Sequence, residues 1–528
     1  MTRTKVVAFA DDLLLAIRGE SVRAVENYAN VELSKITVWS QNNKIIFNEE
    51  KYKAMLASRR KRREQREIKV YLNNKPLEQV IRMKYLGIII DHKFRFQEHI
   101  SYAAERCTKP IYSLSKMAKL SWGIKHAAIE TIYKGAILPL LTYGAPVWID
   151  AMKYEHNRKK YIRVQRLINI KMAKAYRTTS SEVLCILTGM TPINIKLEEV
   201  VKRYINKKTG SHTFVLDSAV ELKHWLHPAD AVTINEIAGN EEATVQAYTD
   251  GSKHGQGVGS GAAIFIGNEI VAQIKLKLDN RCSNNQAEQL AIVKALDAIE
   301  SLHNKVIHPR TATIFTDSRV ALDSLRNVKN HAYLVEEIRN RVARLESYEW
   351  KVTFSWVKAH VGIYGNELAD RLAKEAARSN GTSIAFNRIP VSTLYYEAAE
   401  EARQKWQDEW TTCTKAATTK QYFPTVQDRL RIKINLTPNL TAMLTGHGRT
   451  RAYLNRFKLR DDATCICGQG DQTTDQLLNH CTTIHTQREV LKQCILKNGK
   501  WPASKQELIT KYRNTCIAFI ESIDFELL

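Results

Sequence analysis

Residues 244–380 constrain the fold more than any other stretch. Their hydrophobic rhythm passes from period two to period 3.6 and back, with an acidic residue near each change. Val245–Thr249 is a β-rich run ending at Asp250-Gly251-Ser252. Val258–Ile266 and Ile270–Leu278 follow, and Gly267-Asn268 between them predicts a hairpin. Asn284–His303 has helical spacing, and Thr311–Thr316 is a β-branched run ending at Asp317-Ser318. Val352, Phe354 and Trp356 alternate as a half-buried strand should. Asn366 reads as the N-cap of a last helix with Leu368, Ala369, Leu372, Ala373 and Ala376 on one face. The order predicts an α/β domain of about 140 residues, a mixed five-stranded sheet flanked by helices. The glycines from Gly255 to Gly261 lack the Lys-Ser/Thr ending of a phosphate loop, and a strand follows them; tight hairpin packing accounts for them.

Glu288 is the residue that such a helix explains least well. It lies four residues before Ile292, on the stripe continued by Ala295, Leu296 and Ile299. Either the stripe reaches the surface in this first turn, where a carboxylate suits the helix dipole, or the carboxylate faces the sheet and a cation or donors must meet it. Asp250 and Asp317 can each be turn-forming residues, and Asp370 an ordinary acid near a helix start. Four carboxylates at strand ends and helix starts that one sheet can gather point instead to a divalent cation. Oxygen-only ligands suit Mg²⁺. Two ions about 3.5–4 Å apart are the usual means of breaking a phosphodiester.

These residues fall in recognisable motifs. Tyr248-Thr-Asp-Gly-Ser252, Asn284-Asn-Gln-Ala-Glu288, Phe315-Thr-Asp-Ser318 and Trp356-Val-Lys-Ala-His-Val-Gly-Ile-Tyr-Gly-Asn-Glu-Leu-Ala-Asp370 resemble type 1 ribonuclease H, in order and at natural spacing. The resemblance implies that Asp250, Glu288, Asp317 and Asp370 hold two Mg²⁺ ions, for which Mn²⁺ can substitute. It implies that His360 assists proton transfer or product departure. It implies that the backbone around Gly251 and Ser252, with the amides of Asn284 and Asn285, reads the minor groove and 2′-hydroxyls of an RNA–DNA hybrid. The RNA strand would be cut endonucleolytically, leaving 3′-hydroxyl and 5′-phosphate ends.

Two further resemblances flank this domain. Val7-Ala-Phe-Ala-Asp-Asp-Leu-Leu-Leu15, with Asp11 and Asp12, is similar to the paired-aspartate motif of reverse transcriptases. Asn48-Glu-Glu-Lys51 and Lys84-Tyr-Leu-Gly-Ile-Ile-Ile-Asp91 resemble the palm motifs that follow it. Leu138-Pro-Leu-Leu-Thr-Tyr-Gly144 resembles the thumb of non-LTR retrotransposons of the jockey and I groups. The chain begins just before the aspartate pair, so the third catalytic aspartate is missing and polymerase activity is not expected. Near the other end, Cys465, Cys467, His480 and Cys481 resemble the zinc-type module of the same elements. The usual histidine position holds Gln476, His480 is adjacent to Cys481, and His485 is a substitute ligand. Zinc binding and a metal-free helical tail stay open, with the balance toward the tail.

The boundaries expected are 1–100 for a truncated palm, 101–240 for a helical thumb or connection, 241–380 for the ribonuclease H-like domain, and 381–528 for a helical end. The chain of 528 residues carries 79 Lys+Arg against 55 Asp+Glu, a net charge of +24, which favours a nucleic-acid partner. No apolar run is long and unbroken enough for a membrane span. Nine scattered cysteines disfavour a secreted disulfide scaffold. An intracellular location is expected, nuclear or cytoplasmic. Arg59–Arg63, and a helix face with Lys159, Arg163, Arg166, Lys174 and Arg177, are expected phosphate contacts. The rival reading is a non-catalytic nucleic-acid-binding relic.

Overall fold

The computed structural model describes residues 3–10, 12–47, 51–57, 67–117, 126–209, 215–220, 232–235, 243–255, 257–379 and 383–525. Asp11, Asn48–Glu50 and Arg59–Arg63 lie outside the described residues. The chain divides into two compact units, Lys202–Glu401, and Met1–Val201 with Ala402–Leu528.

In the Lys202–Glu401 unit, the strands are β1 (Val245–His254), β2 (Gly257–Ile266), β3 (Glu269–Leu278), β4 (Thr311–Thr316) and β5 (Lys351–Trp356). The helices are α1 (Asn284–Ser301), α2 (Arg319–Arg326), α3 (Tyr333–Ser347) and α4 (Tyr364–Arg378). β1, β2 and β3 form an antiparallel meander, and β4 and β5 add in parallel beside β1. The β2–β3 turn falls at Gly267-Asn268, with Gly267 at φ +57°. The sheet has seven strands rather than five, because Thr233–Asn235 pairs with β5 and Ile384–Phe386 with β3. Those edge segments are three residues long, too short to show an alternating pattern.

Burial explains the layering. Ile292, Ala295, Leu296 and Ile299 of α1 are buried with Ala247, Ile264, Ile314 and Phe354 of the sheet. The opposite face of the sheet takes α4. Gly257, Gly259 and Gly261 alternate along β2, and a Cβ on any of them would collide with the carbonyl oxygens of Ala377, Ala373 and Ala369. The glycine run is therefore mainly a strand surface for close helix approach; the turn itself involves Gly255, at φ +58°. Asn366 is not the N-cap of α4: the helix begins at Tyr364 after Ile363, and Asn366 lies buried in its first turn.

The other unit is mostly helical. The first strands, Thr4–Phe9 and Asp12–Ile17, pair as a hairpin that places Asp12, exposed, beside the turn. Gln97–Met117 and Glu155–Ala173 share a core of Ile100, Cys107, Trp148, Tyr161 and Ile168. Trp406, Trp410, Phe423, Leu440, Leu477 and Leu491 pack with Leu184, Ile186 and Leu187. Among the described residues, no helix is long and apolar enough to cross a membrane.

Candidate active site

Strand register gathers the first two carboxylates. Thr249 of β1 lies opposite Thr316 of the parallel neighbour β4, so the next residues, Asp250 and Asp317, stand side by side. Asp317 follows the end of β4, whereas β1 does not end at Asp250 as its β-rich run suggests but continues to His254, paired with β2. Glu288 comes from α1, whose start is fixed by a capping box: Ser283 accepts from Gln286 N–H, and the Gln286 side chain returns to Ser283 N–H. Ser260 Oγ also donates to Ala287 O at 2.6 Å, tying that first turn to β2. Gly251 closes the gap, because a Cβ there would stand 2.5 Å from Glu288 N. Only a residue without a side chain lets β1 and α1 approach this closely.

Carboxylate oxygens of Asp250, Glu288 and Asp317 lie within 4.8 Å of one another. Asp250 and Glu288 are buried, 7% and 5% exposed, so the view of Glu288 as a surface acid is excluded. Asn284 Nδ2 donates to Glu288 Oε1 at 3.3 Å, while Oε2 is buried without a hydrogen bond. Such an oxygen costs free energy unless a cation or donor reaches it. Burial, then the Asp317 and Asp370 charges, push the Asp250 carboxyl up to about 7, although Gly251 N–H donates to its Oδ1 at 2.7 Å. Burial, then Asp250 and Asp317, push Glu288 up to about 10. Burial raises Asp317 as well, opposed by a hydrogen bond from Asn366 and the nearby His360. An oxygen-lined, charge-crowded, partly unpartnered cluster fits a divalent cation.

Asp370, in the second turn of α4, stands outside the three-carboxylate set. It is within hydrogen-bonding reach of Asp250, and its Oδ2 accepts from Lys374 Nζ at 2.6 Å, one helical turn on. His360 is exposed in the loop after β5, at φ +56°. Asn284 and Asn285 are exposed at the start of α1, and Ser252 is half-buried on β1.

Sequence reasoning missed the residues that hold these groups. Trp356 Nε1 donates to Asp317 O at 3.1 Å, and the Arg319 guanidinium sits 4.1 Å from the centroid of the Trp356 ring. Tyr248 stacks on Phe315 at 4.7 Å and lies against Gly365, where a Cβ would strike its ring. That contact seats the start of α4 beside the carboxylates. The signals were present as a strand tryptophan and a helix-start glycine, but neither shows its partner in sequence.

At the C-terminal end, Cys465, Cys467 and Cys481 form a second cluster, with 3.6 Å between the sulfurs of Cys465 and Cys481. His480 is not part of it. It follows the helix Thr474–Asn479 and is exposed, because adjacent residues leave a helix end in different directions. His485 is exposed too and faces Glu489. Gln476 donates to Cys467 Sγ at 3.1 Å. The expected basic helix face is also corrected. The helix ends at Ala173, before Lys174 and Arg177, and Arg166 bonds Ser181 Oγ and Arg177 O.

A mixed sheet with carboxylates side by side on adjacent parallel strands, one within β1 and one just past the end of β4, and a third at the start of a covering helix defines a ribonuclease H-like fold with a cation-type acidic site. Residues 242–378 match the family model described as RNase H. Over 144 residues the chain is 34% identical to a ribonuclease H of Francisella philomiragia, covering 25% of this chain and 90% of that protein. The chain belongs to the ribonuclease H family. It is also similar to retrovirus-related Pol polyproteins from type-1 retrotransposable elements R1 of Nasonia vitripennis. One is 28% identical over 36% of this chain and 47% of its own length; another is 29% identical over 38% and 54%. The matches thus span about half the length of these relatives.

Proposed function

We propose that the chain hydrolyses the RNA strand of RNA–DNA hybrids, as part of a retrotransposon Pol polyprotein. The observation that carries this reading is the cluster of Asp250, Glu288 and Asp317 within 4.8 Å, with Glu288 Oε2 buried and unpartnered. Divalent ions bound there, Mg²⁺ with Mn²⁺ as substitute, would supply charge to activate water and steady the departing 3′ oxygen. Asp250, Glu288 and Asp317 would hold them, and Asp370, now paired with Lys374, would complete the set if released from it. The Gly251–Ser252 backbone and the exposed amides of Asn284 and Asn285 meet the 2′-hydroxyls. His360, exposed on its loop, takes or gives a proton as product leaves. Zinc is not part of this reading: among the described residues, three thiols with Gln476 beside them leave a tetrahedral set one ligand short.

The test is cleavage of a labelled RNA–DNA hybrid by the full chain in Mg²⁺ or Mn²⁺ against EDTA, with duplex DNA and duplex RNA as controls. Metal-dependent cuts confined to the RNA of the hybrid are expected. No cleavage with either ion, or equal cleavage of all duplexes, overturns the proposal.

A further inference from the structure

The Met1–Val201/Ala402–Leu528 unit carries an aromatic and basic surface that the hybrid-cutting site does not use. The helix Arg451–Arg456 and the residues after it read Arg-Ala-Tyr-Leu-Asn-Arg-Phe-Lys-Leu-Arg, ending at Arg460. Tyr453 is buried at 8% exposure and anchors the patch. Its hydroxyl hydrogen-bonds Thr178 Oγ1, which also meets His447 Nδ1 at 3.2 Å. Around it stand two exposed rings, Tyr176 at 6.3 Å and Phe457 at 4.9 Å between centroids. Tyr176 is 37% exposed and Phe457 44%. Arg177, Arg456, Lys458 and Arg460 are exposed beside these rings in sequence. Asp461 and Asp462 close the run, and Asp462 Oδ1 is taken by Thr464 N–H.

We infer that this patch binds single-stranded nucleic acid, with Tyr176 and Phe457 stacking on bases and the cations meeting phosphates. Two exposed rings packed on the same buried Tyr453, with cations beside them in sequence, offer a stacking surface for a planar, charged partner. The four exposed cations outnumber the exposed Asp461 and Asp462, so the surround is net positive and suits a polyanion better than an apolar protein face. Unpaired bases have free π-faces and bring phosphates with them, so they satisfy both features. A paired duplex hides those faces and would use the cations alone.

The test is fluorescence anisotropy of the full chain with labelled single-stranded RNA, single-stranded DNA and duplex DNA across a salt series. Phe457→Ala and Tyr176→Ala should each weaken single-strand binding on the order of tenfold and leave duplex binding nearly unchanged. Phe457→Trp should retain it, which separates stacking from folding. Lys458→Gln with Arg460→Gln should flatten the salt slope by about 0.7 per lost contact. The RNA and DNA arms decide which strand is preferred. Equal binding by the Ala and Trp variants, an equal loss on duplex, or a change of oligomeric state in place of affinity would overturn the inference.

Discussion

Asp250→Asn should make the metal-free protein more stable while abolishing its chemistry. The Asp250 carboxyl stands at about 7 instead of the ordinary 3.8, chiefly through burial, then through Asp317 and Asp370. Its folded value is raised, so its contribution to stability is fully present below about 3.8. That contribution is lost as pH rises through about 7. The rise corresponds to about 4 kcal/mol at alkaline pH, an upper bound because neighbouring carboxylates share it. Asparagine keeps the oxygen that accepts from Gly251 N–H, removes the charge, and offers an amide donor to the remaining carboxylates. A gain of about 1–4 kcal/mol in EDTA at high pH should lift the melting of the Lys202–Glu401 unit by about 2–16 °C, at about 2–4 °C per kcal/mol. The gain should shrink toward low pH. Mg²⁺ or Mn²⁺ should stabilise the wild-type chain and have far less effect on the variant. Hybrid cleavage should fall on the order of a hundredfold or more. Calorimetric melts across pH with EDTA or added metal, beside single-turnover cleavage, check each part. A variant that melts lower than wild type in EDTA at high pH, or responds equally to metal, would refute the account of a charge-crowded site.

Other outcomes follow from particular contacts. Gly251→Ala should cost about 1–3 kcal/mol by overpacking β1 against α1 and lower cleavage beyond what the melt explains, measured by kcat at a temperature where both proteins are folded. Lys374→Met frees Asp370 and should lower the Mg²⁺ concentration needed for half-maximal cleavage, while Lys374→Arg should not; identical metal titrations would show that the pair has no bearing on the site. Trp356→Phe removes the hydrogen bond to Asp317 O and should cost about 1 kcal/mol with reduced cleavage; an unchanged melt would make the bond dispensable. The purified chain should carry less than one tightly held zinc by elemental analysis, and Gln476→His should raise that content; full occupancy in the wild type would contradict a site one ligand short.

The mixed sheet was legible because each strand and helix announces itself locally. The runs at 258–266, 311–316 and 284–301 have their own periods, and Gly267-Asn268 its own turn chemistry. Asp317 and Glu288 were legible for the same reason, one just past a β-branched run and one in the first turn of a helix, whereas Asp250 lies within β1 and Asp370 within α4, so only their motifs marked them. What local pattern could not carry was distance. Whether Glu288 faced water or the sheet depended on how closely α1 approaches β1, which Gly251 decides. Asn366 looked like a cap because its type suits one, whereas its place beside Asp317 is set by the seating of Gly365 on Tyr248. His480 looked like a ligand because ligand types cluster in sequence, yet the end of a helix turns it away from the sulfurs. The order of elements and the chemical types along them follow from neighbours a few residues away, so they can be read locally. Which of those groups meet follows from burial and close approach between residues far apart in the chain, and only the folded molecule shows it.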